Sequence, residues 1–100
     1  MKKKDLKTGM LLIFNKGERA MVMIGTERGD LFVGNDIYDK QEINTWGPLS
    51  QLNEDLESEL LDTNGNRYNF SVTEIWSITS ANINAASFKI NNQRELLWKR

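Results

Sequence analysis

The stretch Met10-Leu-Leu-Ile-Phe-Asn-Lys-Gly-Glu-Arg-Ala-Met-Val-Met-Ile24 decides the fold class. Its apolar run, Met10 to Phe14, is too short for a stable helix and rich enough for a buried strand. Asn15-Lys16-Gly17-Glu18 then supplies turn chemistry, with Gly17 free to take positive φ. From Arg19 the pattern alternates: Ala20, Val22 and Ile24 fall on one face, Met21 and Met23 on the other. A strand that is apolar on both faces is covered on both faces. Residues 10 to 25 therefore read as a hairpin inside a sheet.

Working outward, Thr26 to Asp30 is a second turn, Leu31-Phe32-Val33 a short strand, and Gly34-Asn35-Asp36 a further turn. Ile37 to Thr45 is polar and reads as a loop with one short edge strand over Glu42 to Trp46. The segment Asn44 to Leu56 holds the only proline, Pro48. Leu49, Leu52 and Leu56 follow it at offsets of three and four, one face of a helix. Asn53 and Asp55 weaken helix propensity there, so one or two turns of 3₁₀ or α-helix are expected, plugging an open edge of the sheet.

Further on, Asn64-Gly65 between two apolar-containing runs predicts a hairpin closed by a type I′ turn. Ser71-Val-Thr-Glu74 has capping-box spacing, which competes with one continuous strand from Phe70 to Ile78. Ser80 to Ala86 suits a loop or a short helix equally. Ala86 to Ile90 and Glu95 to Lys99 suggest a last hairpin around Asn91 to Arg94. Short strands punctuated by turns about every 8 to 12 residues argue for a single mainly β domain over residues 1–100, a small barrel or sandwich.

Composition narrows the chemistry. Cysteine and histidine are both absent. That excludes disulfides, thiolate nucleophiles, Cys-type zinc sites and the commonest general base near neutral pH. Serines and threonines thus lack a histidine base, no phosphate-binding glycine pattern occurs, and no catalytic residue, metal or cofactor is expected. No apolar run approaches the ~20 residues that span a bilayer, and no signal-peptide core follows the lysines at the start. A cytoplasmic location in a host cell is the expectation.

The net charge of −1 is unevenly spread. Residues 1 to 34 carry seven basic and four acidic side chains, residues 35 to 80 two and nine, residues 81 to 100 four and one. If the chain ends meet, the domain has a basic pole and an acidic pole. Within the acidic part, Glu54, Asp55, Glu57, Glu59 and Asp62 form a cluster that is either a solvated rim or a contact surface. With Trp46, the carboxylates of Glu54, Asp55, Glu57 and Glu59 make the candidate partner-binding set. Trp46 and the three leucines are equally explained as core. Lys2, Lys3, Lys4, Lys7, Arg19, Arg94, Lys99 and Arg100 form the candidate nucleic-acid set, with Tyr38, Tyr68 and Phe32 as stacking platforms if exposed. A pI of about 5.4 lies far below that of a dedicated nucleic-acid binder.

Three segments resemble a group of small phage and prophage proteins of Gram-positive bacteria. Asp5-Leu-Lys-Thr-Gly-Met10 with Asn15-Lys-Gly-Glu18 is similar to the group's opening DLKTGM…NG pattern. Trp46 with Leu49-Ser-Gln-Leu-Asn-Glu-Asp-Leu56 is similar to its W…LS-x-YNEDL signature, Leu52 standing where tyrosine is usual. The ending Asn92-Gln-Arg-Glu-Leu-Leu-Trp-Lys-Arg100 resembles its NR-x-LLWER close, Lys99 replacing glutamate. The resemblance implies a phage-encoded accessory protein with an SH3-like or related β-barrel and a short helical turn near 48–56. It brings no active-site residues. The function expected is a non-enzymatic protein-binding module. The alternatives are a nucleic-acid-binding small barrel and a nucleotide-sequestering counter-defence protein.

Overall fold

A computed structural model describes residues 1–38, 41–78 and 94–100, with backbone placement alone for 35–38 and 41–46. The decisive stretch forms β1 (Leu11–Phe14) and β2 (Arg19–Thr26), paired antiparallel with Leu12 opposite Ala20. Gly17 N–H donates to Phe14 O at 2.9 Å, and Phe14 N–H donates to Glu18 O at 2.9 Å. Gly17 takes φ +88°, the left-handed glycine that ends a three-residue hairpin loop.

β1 lies in the middle of one six-stranded antiparallel sheet, ordered β4-β3-β2-β1-β5-β6. The remaining strands are β3 (Gly29–Tyr38), β4 (Gln41–Pro48), β5 (Val72–Trp76) and β6 (Leu96–Lys99). Both faces of the first hairpin are buried over Leu11–Phe14 and from Ala20 to Val22, while Met23 is half-buried and Ile24, expected on a covered face, is exposed. On one face Leu12, Phe14, Ala20, Val22, Val72 and Ile75 pack with Leu6, Met10, Leu49, Leu52 and Leu56. On the other, Leu11 and Met21 are buried against Val33 and Trp76. The architecture is mainly β. Among the described residues the helical structure is two 3₁₀ turns, Lys3–Asp5 and Leu49–Gln51, and the sheet is open, with β4 and β6 as its edges.

Several expectations change. Gly34-Asn35-Asp36 is no turn: Gly34 pairs with Ala20 on one side and Thr45 on the other, and Asn35 pairs with Asn44. A partner strand satisfies the backbone groups that a turn would otherwise satisfy internally, and an edge strand accepts polar residues readily. The polar residues 37–38 and 41–45 therefore belong to a long β3–β4 ribbon. Within the Phe70 to Ile78 stretch, Val72–Trp76 is strand and no capped helix forms, so the strand is shorter than the continuous one considered; Val72, Thr73 and Ile75 are β-branched, and Thr73 Oγ1 donates to Ile13 O at 3.1 Å. The strand of the last hairpin is present as β6. Its turn and first strand, and the Ser80–Ala86 segment, lie outside the described residues, apart from Arg94.

The leucine triad makes a single 3₁₀ turn at Leu49–Gln51, as expected near 48–56, but no continuous helix. Asn53 Oδ1 accepts the N–H groups of Asp55 at 2.9 Å and Glu57 at 3.0 Å. That local competition stops helix propagation. Leu56 takes φ +65°, rare for a bulky residue, and is fully buried. The segment runs from β4 to β5 past three strands, so its leucines cover an apolar face instead of plugging an edge.

Candidate partner-binding groove

The two chain ends and the acidic stretch meet. Lys2 Nζ pairs with Asp55, Lys3 N–H donates to Glu54 O at 3.1 Å, and Lys3 Nζ donates to Leu52 O at 2.8 Å. From the other end, Arg100 donates through Nε to Val72 O at 2.9 Å and through Nη2 to Asp55 O at 2.7 Å. Its Nη1 sits 3.4 Å from Glu57 Oε1, and Arg67 lies 3.7 Å from Glu59. Opposite charges of the supposed separate poles are thus interleaved, because like charges gathered on one surface repel. The hydrogen bond from Lys2, then its charge, hold the Asp55 carboxyl below its usual range and raise the Lys2 ammonium. Both side chains are exposed, so this pair is readily exchanged.

The candidate nucleic-acid set is divided by this geometry. Lys2, Lys3 and Arg100 are engaged as above. Arg94 is 4% exposed and donates from Nη1 to Ser77 O at 2.6 Å and Gly9 O at 3.2 Å. Burial lowers its pKa, and its bonds tie chain segments together instead of facing a phosphate. Lys4, Lys7 and Lys99 are exposed. Lys3 and Lys4 line a cleft of about 470 Å³ with Arg28, Asp30 and Glu54, a mixture of signs that favours no one ligand charge. Trp46 pairs with Val33 in the β3–β4 ladder, and Tyr38 with Gln41.

A different surface collects the aromatic residues. Phe70 stacks on Phe14 with centroids 4.3 Å apart and planes at 10°, and Phe32 lies tilted against Phe14 at 6.0 Å. Phe32 faces Gly47 across the ladder. A β carbon on Gly47 would meet Phe32 Cζ at 3.0 Å and Gln51 Oε1 at 3.2 Å, so glycine is what leaves this ring its seat. Opposite stands a second hairpin. Asp62 O accepts Gly65 N–H at 3.1 Å, Asp62 N–H donates to Asn66 O at 2.8 Å, and Gly65 takes φ +81°. Asp62 Oδ1 also accepts the N–H groups of Asn64 at 2.8 Å and Asn66 at 3.0 Å. These bonds start the loop at Asp62, and among positions 64 and 65 only Gly65 has positive φ, which replaces the expected type I′ turn. The runs beside it form only isolated bridges, such as Leu61 with Arg67.

Between the two hairpins lies a groove of about 480 Å³ walled by Phe32, Leu60, Tyr68 and Phe70, with Lys16 and Gln51 at its margins. Leu60 is 43% exposed and Tyr68 55% exposed. A neighbouring hollow shares Tyr68 and Phe70 and adds Glu57 and Arg67; another shares Phe32 and Phe70 and adds Glu18 and Arg19. Asn15 Nδ2 donates to Asn69 O at 3.0 Å, fixing the first turn to the base of the second hairpin. No protein-family model, curated protein or solved structure matches this chain. The geometry alone nominates the groove.

Of the sequence-nominated partner set, Glu57 borders this surface, Glu54, Asp55 and Glu59 lie along the exposed loop that leads to it, and Trp46 is next to Gly47 in β4. Phe32 and Tyr68 were legible as candidate exposed aromatics, but not that they share one groove with Phe70 and Leu60. The signal was present in the exposed wall of the Asn64-Gly65 hairpin, where Leu60, Leu61, Tyr68 and Phe70 are too many apolar groups for a solvated loop. Among the described residues no group of three or more acidic side chains is placed to hold a metal, and no helix is long and apolar enough to cross a membrane.

Proposed function

We propose that this chain is a non-enzymatic protein-binding module, a phage- or prophage-derived accessory protein of the kind its motifs resemble. The observation that carries the reading is the open groove walled by Phe32, Leu60, Tyr68 and Phe70. Apolar grooves with a few polar groups at the margin are a recurring form of peptide-recognition site. Tyrosine and leucine left in water by a two-stranded hairpin gain favourably from being covered, at about 25 cal/mol per Å² of apolar area. The six-stranded sheet with the 49–71 crossover laid over one face suits an SH3-like or related small barrel, and the groove lies beside that crossover. Glu54 lines the separate cleft with Lys3 and Lys4 and Trp46 lies in β4, whereas Asp55, Glu57 and Glu59 remain contact positions on the loop that leads to the groove. Their ion pairs to Lys2, Arg67 and Arg100 are exposed and compete weakly with a partner.

Peptides selected from a random display library on the wild-type chain test this. Tyr68→Ala with Leu60→Ser removes the exposed wall and leaves the buried core in place. Selected peptides lose at least about tenfold in affinity on that variant, while its thermal melt stays cooperative. Peptides that bind both forms equally would place recognition elsewhere.

A further inference from the structure

Charge around the groove is not neutral in its effect. The two hollows at its ends each hold a cation and a carboxylate, Arg67 with Glu57 and Arg19 with Glu18. Arg67 is paired with Glu59, and Glu57 with Arg100. Among the described residues that line the apolar groove itself, the one charged side chain is Lys16. Lys16 sits on the exposed turn Asn15–Glu18 and makes no hydrogen bond or ion pair among the described residues. The turn holding it is fixed on both sides, by the β1–β2 bonds and by Asn15 on Asn69 and Ser71. The turn therefore anchors the Lys16 backbone beside the groove, and its flexible stem lets the ammonium reach over the apolar floor.

We infer that the groove takes an acidic peptide segment, one bulky apolar side chain lying between Phe32, Tyr68 and Phe70 and a neighbouring carboxylate meeting Lys16. This rests on the protein-binding reading of the groove. A carboxylate on Lys16 replaces two hydrated charges with one pair beside low-dielectric aromatic walls, where attraction is stronger than in open water. A single-stranded nucleic acid is the competing anionic occupant, since bases stack on tyrosine and phenylalanine. It fits less well. Phosphate backbones are held by several unopposed cations in a row, whereas each hollow beside Lys16 sets its arginine, Arg67 or Arg19, next to a carboxylate, Glu57 or Glu18.

Two fluorescein-labelled peptides, each with a Leu-Phe core and followed by two glutamates or by two lysines, are titrated against the wild type, Lys16→Glu and Lys16→Gln. A labelled oligothymidylate is titrated in parallel. The glutamate peptide binds the wild type roughly threefold to tenfold tighter than the lysine peptide, Lys16→Gln removes the preference and Lys16→Glu reverses it. Equal binding of both peptides, unmoved by either substitution, overturns the acidic partner and leaves the groove as a docking site. Binding of neither peptide overturns the groove reading together with it. Tighter binding of the oligothymidylate, lost in Lys16→Glu, overturns the peptide in favour of nucleic acid. Lys16 is exposed and not part of the core, so both variants fold.

Discussion

At Phe14–Glu18 and again at Asp62–Asn66 the backbone reverses through the same two bonds. In each, the fourth residue's N–H donates to the first residue's carbonyl and the first residue's N–H donates to the fifth's carbonyl. In each, the fourth residue is a glycine with positive φ, +88° at Gly17 and +81° at Gly65. Beyond the turns the two hairpins part. The first continues into β1 and β2, with strands on both sides and apolar side chains buried on both faces. Among the described residues the second has strands on neither side, keeps only isolated bridges, and leaves Leu60, Leu61 and Tyr68 in water. Turn chemistry fixes where a chain reverses. Whether the arms become core or a binding wall depends on what lies beside them.

The largest expected contrast is in the arms. Leu12→Ala opens a cavity at a fully buried position of β1 and costs about 2–5 kcal/mol. Leu61, 58% exposed, changes stability by less than about 0.5 kcal/mol when replaced by alanine. Urea unfolding of the two variants measures both, and a comparable loss at Leu61 would break the distinction between core arm and wall.

The turns come next. Alanine at Gly17 or at Gly65 meets no atom within 4 Å, so its cost is the left-handed backbone alone, about 1 kcal/mol or somewhat more. At Gly17 that loss shows in the midpoint of global unfolding. At Gly65 it shows as faster amide exchange confined to residues 59–70, with the global midpoint nearly unchanged. Asp62→Ala removes two side-chain hydrogen bonds and loosens the same hairpin by about 1 kcal/mol, read by the same local exchange. Equal global shifts for Gly17→Ala and Gly65→Ala would show the hairpins to be one cooperative unit.

The smallest effect is at the chain ends. Because Lys2 lowers the Asp55 carboxyl, the pair's contribution is present above the ordinary carboxylate range and disappears as pH falls through the lowered Asp55 value. The raised Lys2 sets the other limit: its contribution is present below the ordinary lysine value and disappears as pH rises through the raised one. Thermal melts of wild type and Asp55→Asn should therefore differ slightly near neutral pH and coincide in strong acid. A gap that widens on acidification would contradict the pairing.

Much of the fold was legible from the residues. The alternation that starts at Ala20 behind an apolar run determines a strand buried on both faces over Ala20 to Val22, though Met23 is half-buried and Ile24 exposed, and Asn-Lys-Gly-Glu places its turn. Leu49, Leu52 and Leu56 were legible as core, but their spacing misled about shape, because Asn53 captures the N–H groups that a helix would use. The β3–β4 ribbon was hidden because Gly34, Asn35 and Asp36 satisfy turn chemistry locally and strand pairing only when Thr45 and Asn44 are brought opposite. The groove was least legible. It joins Phe32 to Phe70 and Tyr68, far apart in the chain, and its seat depends on an absent side chain at Gly47, which no periodicity reports. The charge reading placed acid and base apart where the structure pairs them, since blocks of charge along a chain carry no information about which blocks meet.

The most direct measurement is the perturbation of backbone amide resonances in the ¹⁵N-labelled chain on titration with the Leu-Phe peptide that carries two glutamates. The account predicts changes concentrated at Lys16, Phe32, Leu60 and Tyr68 to Phe70, with the amides of Lys2 to Lys7 and Lys99 to Arg100 unmoved. Changes gathered instead at those basic ends, or along the Glu54 to Glu57 stretch without the groove, would contradict it.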